Sequence, residues 1–83
     1  MKNIYILTSY NLKQGFYTNK SYFTSYKKAL ASKEYLINYL IENHSLNTNN
    51  IENYKFTGVT TLDNSYNVTL FKETIKTQII KFI

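Results

Sequence analysis

The sequence predicts an α+β domain: a small antiparallel or mixed sheet of three or four strands, with one amphipathic helix, about residues 25–43, packed across one face. Three observations predict it. A β-branched and aromatic run opens the chain at residues 3–10. Apolar residues then recur at helical spacing from Tyr26 to Ile41. Two further β-prone runs, 54–61 and 66–73, flank the polar turn 62–65 and read as a hairpin. Eighty-three residues, 43% hydrophobic and 18% charged, form a single domain, 1–83, with one modest core.

The first run carries apolar groups on both faces, Ile4 and Ile6 on one and Tyr5 and Leu7 on the other, which suits a strand inside the sheet. Residues 11–15, with Asn11 and Gly15, supply turn chemistry. Residues 16–23 are aromatic and extended, a second strand with a break expected near Asn19. Thr24 or Ser25 offers a hydroxyl to cap the helix. Tyr26, Ala29, Leu30, Leu36, Ile37, Leu40 and Ile41 form the apolar stripe, and Lys27, Lys28, Ala31, Tyr35, Asn38 and Glu42 lie largely opposite. Lys33 falls inside the stripe. Its stem is expected to pack while the ammonium reaches water, the alternative being a lysine held at a helix–partner seam. Residues 45–53 read as an Asn-rich connection, and the tail, 74–83, fits a strand or a helix. As an edge strand its apolar residues would need a cover, and a homodimer is one expected cover.

The chain holds ten lysines, no arginine and five acids, for a net charge of +5. Asn, Lys, Ile, Tyr and Phe dominate, as AT-rich coding would produce, so abundance alone carries little functional meaning. Distribution carries more. Residues 1–40 hold six lysines against Glu34 alone, and residues 41–83 are balanced. With no cysteine, disulfides and thiolate metal sites are excluded, and one histidine makes no zinc site. No cofactor or metal is expected. The opening run is too short and interrupted for a signal peptide and no membrane contact is expected, so a cytoplasmic location follows, in the host cell if the protein is viral.

No constellation for catalysis stands out, and an enzyme is not expected. Gly15 and Gly58 sit in no phosphate-binding fingerprint. Glu34 and Glu42 lie eight apart on the polar side of the helix. His44 suits contact with the negative end of the helix dipole. The remaining candidate is a basic-aromatic surface. Lys13, Tyr17, Lys20, Tyr22, Lys27 and Lys28 fall within sixteen residues, together with Phe16 and Tyr26. Lysines neutralise phosphates and aromatic faces stack on bases, which suits RNA or single-stranded DNA. The same composition suits a protein interface, and it also suits core aromatics with solubilising lysines.

The stretch Ile4-Tyr5-Ile6-Leu7-Thr8-Ser9-Tyr10, then Tyr22-Phe23-Thr24-Ser25-Tyr26-Lys27-Lys28-Ala29, then the helix and hairpin, resembles small bacteriophage accessory proteins over about residues 3–60. The resemblance implies a non-enzymatic protein of the host-takeover or anti-defence type, for example anti-CRISPR-like. Such a protein binds and inhibits a host protein or ribonucleoprotein. The alternative is a small basic protein that binds single-stranded nucleic acid. The charge of +5 departs from the acidic inhibitors that imitate duplex phosphate.

Overall fold

A computed structural model describes residues 2–75, with side chains described for 3–74. Its elements run β1 (Lys2–Asn11), β2 (Phe16–Phe23), α1 (Tyr26–His44), β3 (Ile51–Tyr54), β4 (Val59–Leu62) and β5 (Tyr66–Ile75). The sheet has the order β2-β1-β5-β4-β3, and every neighbouring pair is antiparallel. The class is α+β as the sequence predicts, but with five strands rather than three or four.

The extra strand comes from residues expected to be connection and from a run expected to be one strand. Residues 54–61 are broken by a turn in which the Gly58 N–H bonds the Tyr54 carbonyl at 3.1 Å. Gly58 sits at φ +67, the left-handed region that favours glycine. Ile51–Tyr54, the last three residues of the expected connection and the first of the expected strand, pairs with Val59–Leu62 as a second hairpin. Next, three residues, Asp63 to Ser65, join β4 to β5; Asp63 and Asn64 take φ 46 and 50, and the Ser65 N–H closes the turn on the Leu62 carbonyl at 2.8 Å.

β2 continues through Asn19. Its irregularity is a register shift opposite Ser9 and Tyr10 that leaves Thr18 as the extra residue, its hydroxyl 2.7 Å from that of Ser9. α1 is capped by Ser25, whose hydroxyl accepts the Lys28 N–H, and ends at Ser45 in the left-handed region. Thr74 and Ile75 continue β5; the remainder of the tail, and with it the strand-or-helix question, lies outside the described residues.

The core lies between α1 and one face of the sheet. Leu7, Leu40, Leu62, Tyr66 and Val68 form it, with Phe23, Leu36, Ile37, Ile41, Leu46, Ile51 and Leu70 packed against them. Each fully buried Leu or Val contributes roughly 1.5–3 kcal/mol by leaving water. The apolar stripe of α1 is uneven: Ala29 and Leu40 are buried, while Tyr26 and Leu30 remain exposed. Lys33 is half-buried, its stem packed in the stripe and its ammonium donating to the Gly58 carbonyl.

Candidate interface on the open face of the sheet

α1 covers one face of the sheet. The other face bears no helix among the described residues. Its side chains follow from the register, because directly paired residues project on the same side. Three rows cross the strands. The first is Tyr22, Ile6 and Phe71. The second is Lys20, Thr8, Thr69, Val59 and Tyr54. The third is Tyr17, Tyr10, Asn67, Thr61 and Glu52.

Bulky side chains in the first and third rows and short ones in the middle of the second make a trough. The depression has a volume of about 550 Å³, with Thr8 and Thr69 as floor, Tyr10, Tyr17 and Asn67 on one side, Phe71 on the other, and Lys20 at the β2 end. The rings of Tyr10 and Tyr17 meet edge to face at 5.0 Å, which fixes that wall. The Lys20 ammonium lies 5.7 Å from the Tyr22 ring centroid, a cation–π contact that holds it along the β2 edge. Thr61 donates to Asn67 Oδ1 at 2.7 Å, leaving the Asn67 amide nitrogen as a donor. Tyr17 and Phe71, 65% and 42% exposed, border the trough in contact with water, and Tyr22, 61% exposed, stands beside Lys20 on the same face. Ile6, between Tyr22 and Phe71 in register, is only 6% exposed on this same uncovered face.

Of the six residues singled out in the sequence, this face gathers Tyr17, Lys20 and Tyr22. Lys13 lies in the β1–β2 turn, its backbone N–H bonded to Asn11 Oδ1 at 3.0 Å. Lys27 and Lys28 lie in the first turn of α1, in the helix layer on the other side of the sheet. The sequence cluster is thus divided among three places. Thr8, Tyr10, Asn67, Thr69 and Phe71 were missed as site residues. Their signal is the spacing of two, Thr8 and Tyr10 on β1 and Asn67, Thr69 and Phe71 on β5, and it points to one surface only once β1 and β5 are known to be neighbours.

A second polar group lies at the C-terminal end of α1. The Tyr66 hydroxyl is 3.1 Å from His44 Nε2 and also accepts from Asn11 Nδ2 at 3.4 Å, with the His44 and Tyr66 ring centroids 5.0 Å apart. These bonds satisfy a buried tyrosine and fasten the helix end to β5 and β1.

Among the described residues no group of three His, Cys, Asp or Glu side chains could hold a metal ion, and no helix is long and apolar enough to cross a membrane. Comparison with protein-family models, curated proteins and solved structures returns no match.

Proposed function

We propose that this chain is a non-enzymatic binding protein that engages a protein partner through the open face of its sheet, in the manner of a phage accessory protein that blocks a host protein or ribonucleoprotein. The observation that carries this reading is the make-up of that face. Exposed rings of Tyr17, Tyr22 and Phe71 share this face with threonines and an asparagine. Aromatic enrichment with few charges at the centre is the anatomy of a protein-binding patch. Tyrosine supplies large, rigid contact area at small entropic cost.

Nucleic acid is the weaker fit. Its affinity comes mainly from phosphates neutralised by lysine and arginine. The described charged side chains on this face are Lys20, Glu52 and Glu73, which leave it no positive excess.

The test is capture from lysate of a bacterial host with three tagged baits: wild type, Tyr17→Ala/Phe71→Ala, and Lys27→Glu/Lys28→Glu. The expected result is a defined protein that survives nuclease treatment, is retained by the lysine variant and is lost by the aromatic one. Retention by the folded aromatic variant, or release of everything by nuclease, would overturn the reading.

A further inference from the structure

Among the described residues, β2 has β1 on one side and no strand on the other. We propose that two copies of this chain pair antiparallel through that free edge of β2, about a twofold axis normal to the sheet at Lys20. The contact uses the edge of the sheet, so it stands whether or not the open face binds a partner.

The residues of β2, Phe-Tyr-Thr-Asn-Lys-Ser-Tyr-Phe, read nearly alike in both directions. In a regular strand this symmetry would have no consequence. Side chains alternate, so Tyr17 and Tyr22, an odd number of residues apart, would project from opposite faces, and so would Phe16 and Phe23. The register shift removes the mismatch. With Thr18 as the extra residue, Tyr17 pairs with Tyr10 and Tyr22 with Ile6, both on the open face. Phe23 packs against the core on the helix side, and Phe16 pairs with Asn11, whose amide reaches Tyr66 on that same side. Thr18 and Asn19 both line the helix-side groove. Counted as one position, they make β2 symmetric about Lys20 in residue type and in facing.

A twofold axis normal to the sheet keeps each face on its own side and sets the edge against itself. Tyr17 then lies opposite Tyr22 of the second copy on the open face, and Phe16 lies opposite Phe23 on the helix side. Cross-strand aromatic pairs of this kind stabilise antiparallel sheet. The helix adds to the same edge, because Tyr35 and Tyr39 stand with Asn19, Ser21 and Phe23 along the groove between α1 and β2. Phe16, Tyr17, Tyr22, Tyr35 and Tyr39 are each about half exposed or more. At roughly 150–250 Å² per ring they leave on the order of 450–750 Å² of aromatic surface here, against about 800 Å² buried per partner in a stable complex.

Lys20, the one charged residue of β2, meets itself across the axis, and like charges directly opposite disfavour pairing. Its ammonium lies 5.7 Å from the Tyr22 ring centroid, so it leans along the strand away from the axis, and its counterpart leans the other way. The repulsion that is left weakens the dimer and makes it salt-dependent: screening should strengthen it. The opposite edge, β3, is only Ile51–Tyr54 and has no such symmetry.

The chain has no cysteine, so introduced thiols report the register directly. The test is sedimentation equilibrium of the full chain, together with disulfide formation by single-cysteine variants under oxidised glutathione, each checked for its fold by circular dichroism. The expected result is a reversible monomer–dimer equilibrium. It should tighten about threefold as salt rises from about 0.01 to 1 M, and by a similar factor in Lys20→Thr. Lys20→Cys should form a disulfide dimer at least about tenfold faster than Glu52→Cys on the β3 edge, because antiparallel pairing brings opposed Cα atoms within about 5.5 Å, a span a disulfide bridges. Tyr17→Cys mixed with Tyr22→Cys should crosslink faster than either variant alone. A monomer mass at every concentration would overturn the proposal. Equal crosslinking through Lys20→Cys and Glu52→Cys would also overturn it, as would Tyr17→Cys bonding to itself as fast as to Tyr22→Cys, since a different surface or register would then form the contact. A dimer loosened by salt or by Lys20→Thr would remove Lys20 from the axis and with it the proposed pairing.

Discussion

The ammonium of Lys33 donates to the carbonyl oxygen of Gly58 at 3.0 Å, tying the middle of α1 to the β3–β4 turn. The same carbonyl accepts the Leu70 N–H at 3.1 Å. One oxygen therefore joins the helix, the turn and β5, and this junction closes the end of the β3–β4 hairpin against the core.

Gly58 is required at this junction for two reasons. Its φ of +67 is strained for any residue with a side chain, and a Cβ there would stand 2.3 Å from the Leu70 carbonyl oxygen, which is backbone and has little room to move. Gly58→Ala should lower unfolding free energy by about 2 kcal/mol or more. Urea denaturation checks this, and a variant as stable as wild type would mean that the turn and β5 are less closely apposed.

Lys33 should reveal itself through pH. Desolvation holds its ammonium below the ordinary lysine range. The unfolded chain then binds that proton more tightly than the folded chain, so stability due to this residue rises with pH between the lowered value and the ordinary value of about 10.4. Lys33→Met keeps the stem and removes the charge. It should change stability by less than the roughly 0.5–1.5 kcal/mol of one hydrogen bond near neutral pH, because losing the bond to Gly58 is offset by relief of the desolvation that disfavours the ammonium. Wild type should gain on Lys33→Met as pH rises through the alkaline interval, since all other titrating groups are shared. A difference that is flat with pH would show that the ammonium is as well solvated in the fold as out of it.

The sequence made these features legible to different depths. The spacing of Ala29, Leu36, Ile37, Leu40 and Ile41 depends only on local geometry, and the helix stands within one residue of its expected bounds. Ser25 as cap is local in the same way. The β3–β4 hairpin was hidden because Tyr54, Phe56, Val59 and Thr60 all favour strand, so Gly58 was the sole sign of a turn in a run of β-prone residues. The candidate face was half legible. Tyr17, Lys20 and Tyr22 lie on one strand, where alternation places them together. Phe71 opposes Ile6 across 65 positions of sequence, a pairing that no local pattern encodes. Proximity in sequence likewise joined Lys27 and Lys28 to that group, although the chain passes from the sheet into the helix layer between Phe23 and Tyr26.

Asp63 links the helix–β3 connection to the β4–β5 turn. The Asn47 backbone N–H donates to its Oδ2 at 3.0 Å and the Asn50 side-chain amide donates to its Oδ1 at 3.2 Å. The Asn47 bond first, then the Asn50 bond, with a smaller contribution from Lys13, hold its carboxyl below the usual carboxylate range. A carboxyl depressed in the fold stabilises above the unfolded value and loses that contribution as pH falls through the folded one. Asp63→Asn keeps a residue tolerant of the left-handed backbone, φ 46, and removes the charge. It should be less stable than wild type at neutral pH, with the gap narrowing below about pH 4. Thermal melts at pH 7 and pH 3 measure both, and a gap that widens on acidification would contradict the assignment.

Leu40 and Leu36 separate the centre of the core from its margin. Leu40 is 4% exposed within the central cluster, and Leu36 packs on it from the side. Leu40→Ala should cost about 2–5 kcal/mol, much of the stability a domain this small commands. Leu36→Ala should cost clearly less, because its site already opens to water. Equal losses in chemical denaturation would place the helix axis differently over the sheet.

Lys27 and Lys28 distinguish a basic surface from an aromatic one. They are exposed in the first turn of α1, which holds no acidic residue, and the positive end of the helix dipole slightly disfavours cations there. Lys27→Glu/Lys28→Glu should therefore leave the melting temperature unchanged or raise it slightly, by the equivalent of about 0.3–1 kcal/mol per charge. Both lysines lie on the helix side of the sheet, so a partner on the open face should bind this variant within about threefold of wild type, the scale of a peripheral charge effect. Tyr17→Ala/Tyr22→Ala should behave in the opposite way. Both rings are largely exposed, so stability should fall little, while two contact residues disappear and binding should weaken about a hundredfold or more, as removal of hot-spot aromatics does. Calorimetry of the captured partner against the two double variants, with melting curves for each, reads out the contrast. If the lysine reversal abolishes binding and the tyrosine pair does not, the partner sits on the helix layer and the trough is not its contact.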